Sequence, residues 1–247
     1  MITRPLIAAA VVALLLAAAA AHAVIPPTPK VAKAVAEANR TARRGKPLLL
    51  KVTLTIGAGQ PTAATGTLAS HPTGLARLEL KSHRGFVERH LLQGTAHIAS
   101  RNGEPIDNPR HFLPPVFLLQ SRSGEALIAA LESFGIATDD GALGRVGDYD
   151  CFVFGGRLPR SGEAAGQQLP SMWVDLESFD VVRIDGADGV RYRFGPVQDF
   201  SGIRVPRWIE IEAQGRETAR LEILEAAVAN APAAAFSRDW LTAGEVR

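Results

Sequence analysis

Three evenly spaced histidines are the first residues whose chemistry suggests a site. His83, His90 and His97 stand seven residues apart, and the imidazole nitrogen is a common ligand of zinc. An odd spacing along a strand places successive side chains on opposite faces, and turns interrupt this stretch. We therefore expect the three histidines to be separated in the fold and to form no metal site.

Four acidic residues lie close together further along the chain: Asp139, Asp140, Asp148 and Asp150. A calcium loop needs a fixed ligand spacing and a terminal bidentate glutamate, and this stretch has neither. We interpret these aspartates as turn and surface acids.

Sequence motifs of catalysis are absent. No serine lies in a Gly-x-Ser-x-Gly motif, no glycine-rich phosphate loop follows a strand, and Cys151 is the only cysteine. Beside Phe152, Cys151 is interpreted as a small buried hydrophobic residue. The sequence therefore indicates a binding protein without enzymatic activity and without a cofactor.

The first 23 residues are typical of a cleavable signal peptide. Arg4 precedes an apolar run from Leu6 to Ala21, and Ala21-His22-Ala23 is a small-x-small cleavage site. A retained transmembrane helix is the alternative, but the run is shorter than the ~20 residues that a span requires. We expect export, with a mature chain that begins at Val24. Because position 24 is not a cysteine, we expect no lipid anchor.

The charge of the mature chain is close to balanced. Residues 1–23 contain one arginine and no acid, so 26 of the 27 basic residues and all 25 acidic residues remain. This balance argues against a nucleic-acid partner, which requires a concentrated basic surface. No linker is visible, and we expect residues 24–247 to form a single, monomeric domain.

Two stretches have the pattern of short helices. Thr28 and Pro29 suit a helix start, and residues 29–44 place Val31 and Val35 on one face. The apolar stretch 109–135 is broken by prolines and is expected to be a lid, with a second helix from about Ser123 and a stop at Gly135.

Most of the remaining chain alternates between apolar and polar residues, which is typical of strands with one wet face. Leu50, Val52, Leu54 and Ile56 face one way while Lys51, Thr53 and Thr55 face the other. The same period recurs around residues 76–81, 190–194, 209–212 and 220–223. About ten such strands predict a mainly β fold, a curved antiparallel half-barrel sheet capped by short helices.

Such a sheet can enclose an apolar cavity beneath its helices, or the helices can fill the concavity completely and leave a dry core. The sequence pattern leaves both alternatives open. If the cavity exists, an acyl chain suits it, because burial of a chain of about 16 carbons contributes on the order of 12 kcal/mol before ordering costs.

The order of elements resembles the periplasmic outer-membrane lipoprotein carrier and sorting proteins, the LolA-like fold. The residues that carry the resemblance are the strand segments 50–56, 64–68, 76–80, 86–92 and 95–100, the lid-like segment 115–119, the hairpin segments 172–176 and 181–184, and the turn 199–207. The resemblance implies a periplasmic carrier that binds acyl chains of lipoproteins or lipids under a helical lid. It also implies a membrane-bound donor and acceptor.

We expect inward-facing apolar residues to line the cavity and bind the lipid: Val52, Leu54, Leu68, Leu78, Leu80 and Ile211 from the strands, with Leu118 and Leu131 from the lid. In the resembled family an arginine within the sheet latches the lid by hydrogen bonds to helix carbonyls. Arg77 is the candidate here, and its alternative is a solvent-facing strand charge. The alternative function is an envelope sensor or scaffold that holds a protein partner with the same fold, as a related stress-sensing domain does.

Overall fold

The computed structural model describes residues 25–39, 46–139, 141–155 and 169–243. The predicted signal peptide and the predicted start of the mature chain at Val24 lie outside the described residues. Within the described ranges, no helix is long and apolar enough to cross a membrane.

The described chain contains fifteen strands, which are β1 Leu48–Ile56, β2 Thr62–His71, β3 Leu75–Ser82, β4 Val87–Gln93, β5 Ala96–Arg101, β6 Glu104–Pro105, β7 Gly141–Val146, β8 Tyr149–Phe154, β9 Ser171–Asp175, β10 Val181–Asp185, β11 Arg191–Phe194, β12 Val197–Phe200, β13 Ile203–Pro206, β14 Trp208–Glu212 and β15 Ala219–Val228. The helices are α1 Thr28–Ala38, α2 Gly124–Ser133 and α3 Asp239–Thr242, with 3₁₀ turns η1 Val116–Gln120 and η2 Ala233–Ala235.

Thirteen of these strands form one antiparallel sheet, in the order β6-β5-β4-β3-β2-β1-β15-β14-β11-β10-β9-β8-β7. The sheet is curved, but its two edge strands, β6 and β7, do not pair with each other, so it does not close. A sheet of this width curls because each strand twists against its neighbour. The predicted fold class, a curved antiparallel sheet capped by short helices, is confirmed.

The period of two in the sequence decides which face of the sheet is buried. In β1, Leu50, Val52 and Leu54 are at most 2% exposed, whereas Lys51 between them is exposed. The inner faces of β2, β3, β14 and β15 continue this apolar surface, and α1, η1 and α2 pack against it. The inner face of the sheet and the helices together form the core.

The first helix differs from its prediction at both ends. Pro27, not Thr28, precedes the helix, and Thr28 is its first residue. The helix ends at Ala38, with Asn39 at the C-cap, because asparagine favours caps over helix interiors. Of the predicted residues 29–44, positions 40–44 lie outside the described residues.

The predicted signals of the second helix hold. The Ser123 hydroxyl accepts a hydrogen bond from the Ala126 amide (3.2 Å) at the start of α2. At its end, Gly135 has φ of 85°, and the Ile136 amide donates to the Leu131 carbonyl (2.9 Å). This is a Schellman ending, which needs a residue that accepts the left-handed conformation.

The turn predicted at 199–207 is a separate hairpin of β12 and β13. Ser201 and Gly202 both have positive φ, and Asp199 Oδ1 accepts a hydrogen bond from the Gly202 amide (2.6 Å). Positive φ at both central residues is typical of a tight two-residue hairpin turn. The hairpin therefore lies outside the large sheet and precedes β14.

Candidate functional site

A groove of about 860 Å³ opens at one end of the sheet, and we refer to it as the end groove. It lies where β1, β3 and β5 end and β2 and β4 begin, beside the segment 106–112. Its apolar lining consists of Leu54, Ile56, Pro61, Ala63, Ala64, Leu80, Phe86, Ile106 and Phe112. The volume is in the range of roughly 300–1,000 Å³ that is typical of small-molecule sites.

Three arginines from three different segments line the end groove. Arg84 is in the turn between β3 and β4, Arg101 ends β5, and Arg110 lies in the segment 106–112. The guanidinium of Arg101 lies 4.8 Å from the centre of the Phe86 ring, and that of Arg110 lies 5.3 Å from the centre of the Phe112 ring. These cation–π contacts help to hold the charges beside the apolar lining.

A buried carboxylate forms part of the groove wall. Glu88 of β4 is 5% exposed. Its Oε2 lies 3.0 Å from Arg101 Nη2, and its Oε1 lies 3.0 Å from His90 Nε2. Burial alone raises the pKa of this carboxyl, but the hydrogen bonds and charges of His90 and Arg101 outweigh burial and place the pKa below its ordinary value. Glu88 is therefore ionised at neutral pH.

Glu88 belongs to a group that we call the histidine cluster, together with His90, His97, His111 and Asp188. His90 Nδ1 and His97 Nε2 are 3.1 Å apart, with nearly parallel rings whose centres are 5.3 Å apart. The two nitrogens are therefore much closer together than the ring centres, so the rings approach each other through these nitrogen atoms. The His111 ring lies 4.7 Å from that of His97, and His111 Nδ1 lies 3.0 Å from Asp188 Oδ2.

Two buried nitrogens of the cluster, His90 Nε2 and His97 Nδ1, have no hydrogen-bond partner among the described residues, although His90 Nε2 lies 3.0 Å from Glu88 Oε1. His90 Nδ1 and His97 Nε2 do form a hydrogen bond, in which one ring donates and the other accepts. Burial, followed by the neighbouring His90 and His111, lowers the pKa of His97 from 6.5 to about 3. His97 is therefore uncharged at neutral pH.

The expectation that the histidines are separated is wrong for His90 and His97. They flank the tight turn between β4 and β5, and His97 pairs with Leu92, two residues from His90 on the same face. The hairpin reverses the chain, so the spacing along one strand does not apply. His83 lies apart in the groove lining. Within the described residues, no three His, Cys, Asp or Glu side chains are arranged to hold a metal ion.

The helices α1 and α2 cover the inner face of the sheet at close range. A Cβ atom at Gly124 would lie 2.9 Å from the backbone nitrogen of Lys33, so only a glycine at this position allows the two helices to approach so closely. At the end of α1, Arg204 Nη1 of β13 donates to the Ala38 carbonyl (3.0 Å), and Arg204 Nη2 lies 3.6 Å from Asp180 Oδ1. Arg204 thus fastens the end of α1 to the small hairpin.

The latch prediction for Arg77 needs correction. Arg77 lies on the outer face of β3, opposite the helices, because its neighbours Ala76 and Leu78 point into the core. Its Nη1 donates to the Ala235 carbonyl (2.6 Å), and its guanidinium lies 5.4 Å from the centre of the Phe236 ring. Arg77 is therefore neither a lid latch for residues 116–133 nor a plain solvent-facing charge.

What Arg77 holds is the segment after β15, residues 229–243, which we call the C-terminal segment. Phe236 and Leu241 of this segment are buried against Ala69 and Leu91 on the outer face of the sheet. Arg89 Nη1 also donates to the Trp240 carbonyl (3.2 Å) and to the Ala243 carbonyl. The C-terminal segment therefore covers the outer face of β2 to β5.

All eight predicted lipid-binding residues face the core, and each is at most 4% exposed: Val52, Leu54, Leu68, Leu78, Leu80, Leu118, Leu131 and Ile211. Leu54 and Leu80 also line the end groove. The other six pack within the core that the sheet shares with α1, η1 and α2, and two of them, Leu118 and Leu131, belong to η1 and α2 themselves. The four strand residues among them, Val52, Leu68, Leu78 and Ile211, are at most 4% exposed and lie outside the end-groove lining.

Sequence reasoning missed the groove arginines, Arg204 and the histidine cluster. One signal was available: His90 and His97 flank Gly94, a typical turn residue between two alternating runs. A hairpin centred there brings both rings to one face. The other residues come together through contacts between distant parts of the chain, which no local pattern reveals.

No family model matches the sequence, and no curated protein matches it. A LolA superfamily protein of Nitrosomonas europaea matches in structure with 14% identity and a TM-score of 0.49, over 85% of this chain and 99% of that chain. A DUF1329 family protein of Desulfovibrio piger matches with 12% identity and a TM-score of 0.43, over 87% of this chain and all of that chain.

A complex of MucA and MucB of Pseudomonas aeruginosa matches with 14% identity and a TM-score of 0.22, over 89% of this chain and 62% of that chain. The matches thus include a LolA superfamily protein, the group that the sequence resembles.

Proposed function

We propose that this protein is a periplasmic carrier that binds an acyl chain of a lipid or lipoprotein and catalyses no reaction. The observation that carries the proposal is the end groove, where buried apolar side chains such as Leu54 and Leu80 border open space. Each CH₂ group placed there contributes about 0.8 kcal/mol by leaving water. The signal-peptide pattern of residues 1–23 supports the periplasmic location.

The helices supply the second element of a carrier, a cover that can move. We propose that α1, η1 and α2 form this lid and that a long chain extends from the end groove toward the six predicted residues inside the core. The lid must then shift, and Arg204 on the Ala38 carbonyl is one contact that this movement breaks. A single hydrogen bond from a charged guanidinium is worth about 1.5–3 kcal/mol, so its loss is compatible with reversible opening.

A second candidate function is an envelope sensor or scaffold that binds a protein partner. The close packing of Val52, Leu68 and Leu78 beneath the helices favours it, because a filled concavity leaves less room for a long chain. In that case the partner binds on the outside of the fold, and acyl chains do not enter.

Titration with a fluorescent fatty-acid probe tests the proposal. We expect the mature protein to bind the probe with saturation at one per chain. Ile106→Glu places a charge in the apolar lining at a partly exposed position, where folding tolerates it, and is expected to abolish binding. The matched control is Leu224→Glu, at a side chain that is 55% exposed and outside the groove lining. Failure of the wild type to bind the probe would favour the sensor or scaffold.

A further inference from the structure

The charges around the end groove select among its possible guests. We propose that the groove takes a single acyl chain ending in a carboxylate, a free long-chain fatty acid, with the carboxylate held between Arg84, Arg101 and Arg110. This inference rests on the proposed function, because it names the substrate class of the same groove. It goes further by assigning a polar site at the groove wall.

The three arginines are arranged around one apolar surface. Arg84 and Arg101 are exposed and Arg110 is partly exposed, and all three lie beside the same apolar lining. An amphiphile that buries its chain against Leu54 and Leu80 leaves its headgroup at this boundary between apolar lining and solvent. Guanidinium groups donate pairs of parallel N–H bonds that match the two oxygens of a carboxylate.

The carboxylates that line the groove do not neutralise all of this positive charge. Two acidic residues line the groove. Glu88 faces Arg101 and the buried His90. Glu217 accepts a hydrogen bond from Arg110 Nη2 (3.2 Å), but through its backbone carbonyl and not its carboxylate. Among the described residues, neither Arg84 nor Arg110 forms an ion pair with a carboxylate.

The balance of charge points to one negative charge on the guest. Three arginines against Glu88 and Glu217 leave a surplus of one positive charge in the lining. A fatty-acid carboxylate carries one negative charge at neutral pH, which matches this surplus. A cationic headgroup would be repelled, and a neutral one would leave the surplus without a partner.

Calorimetric titration with three probes of equal chain length tests the inference: dodecanoate, dodecyl phosphate and dodecyltrimethylammonium, each below its micellar concentration. We expect dodecanoate to bind at one per chain and about tenfold more tightly than dodecyltrimethylammonium at low salt. Added salt is expected to reduce that difference, since these charges are open to solvent.

Arginine variants then locate the headgroup. Arg84→Gln and Arg110→Gln are each expected to weaken dodecanoate by about two- to fivefold, as suits partly exposed ion pairs, and to leave dodecyltrimethylammonium no weaker. Arg122→Gln is the matched control, because Arg122 is exposed and lies outside the groove lining.

The outcomes separate this inference from the proposed function. Equal binding of dodecanoate and dodecyltrimethylammonium would overturn the carboxylate site while the acyl-chain carrier stands. Markedly tighter binding of dodecyl phosphate than of dodecanoate would overturn the choice of a carboxylate. If none of the three probes binds, both the inference and the carrier proposal fail.

Discussion

Acid should destabilise this protein through His97, a residue whose surroundings favour the uncharged ring. The folded-state pKa of about 3 is depressed from 6.5, so the stability that this neutral ring contributes is present above pH 6.5. It is lost as the pH falls from 6.5 toward 3, because the unfolded chain takes up the proton first. The cause is burial, with further opposition from His90 and His111.

The loss of stability can be calculated from the difference between the ordinary pKa of His97 and its pKa in the folded protein. Each pH unit below 6.5 costs about 1.4 kcal/mol while the folded protein stays unprotonated. At pH 5 the loss from His97 is therefore about 2 kcal/mol, a large part of the 5–15 kcal/mol typical of natural domains. Glu88 and Asp188 also have lowered pKa values, and they add to the loss at more acidic pH.

Urea unfolding at pH 7 and pH 5 measures the stability that is lost through His97. His97→Gln keeps a donor that can face His90 but removes the titrating ring, and it should lose about 2 kcal/mol less than the wild type between the two pH values. His83→Gln is the matched control, because His83 is exposed in the turn between β3 and β4, and it should behave like the wild type. If wild type and His97→Gln lose equal stability, the reasoning about buried His97 is refuted.

Three further substitutions test the contacts around the site. Arg77→Gln removes the bond to Ala235 and should cost about 1–2 kcal/mol; limited proteolysis should then cut the C-terminal segment sooner, and unchanged cleavage would contradict its role. Gly135→Ala forces a side chain into the left-handed region and should cost about 1–2 kcal/mol in thermal unfolding; an unchanged midpoint would contradict the Schellman ending. Arg204→Gln should speed hydrogen exchange at the end of α1, whereas the exposed Arg207→Gln should not, and equal rates in both variants would argue against Arg204 as a fastener.

The inward and outward faces of the strands could be predicted because one face of the sheet is buried. Leu54 and Leu80 follow the period of two, and an error of one residue would have reversed every assignment. The ends of α2 were also readable, since Ser123 and Gly135 act through local hydrogen bonds. The end of α1 at Ala38 was missed, because cationic residues and a glycine further on looked like the better stop.

Most of the candidate site could not be predicted from local patterns. Arg77 finds its carbonyl partner 158 residues away, and the contact of His111 with Asp188 depends on how separate loops meet. The end groove exists because neighbouring antiparallel strands end together beside the segment 106–112. These relations are set by the order of strands in the sheet, which periodicity does not specify.

Native mass spectrometry of the protein purified from a periplasmic fraction tests the carrier proposal most directly. We predict one acyl-chain ligand per protein, released on extraction as a fatty acid or lipid, lost in Ile106→Glu and retained in Leu224→Glu. A wild-type protein that carries no ligand, and that gains none when incubated with fatty acid, would contradict the proposal.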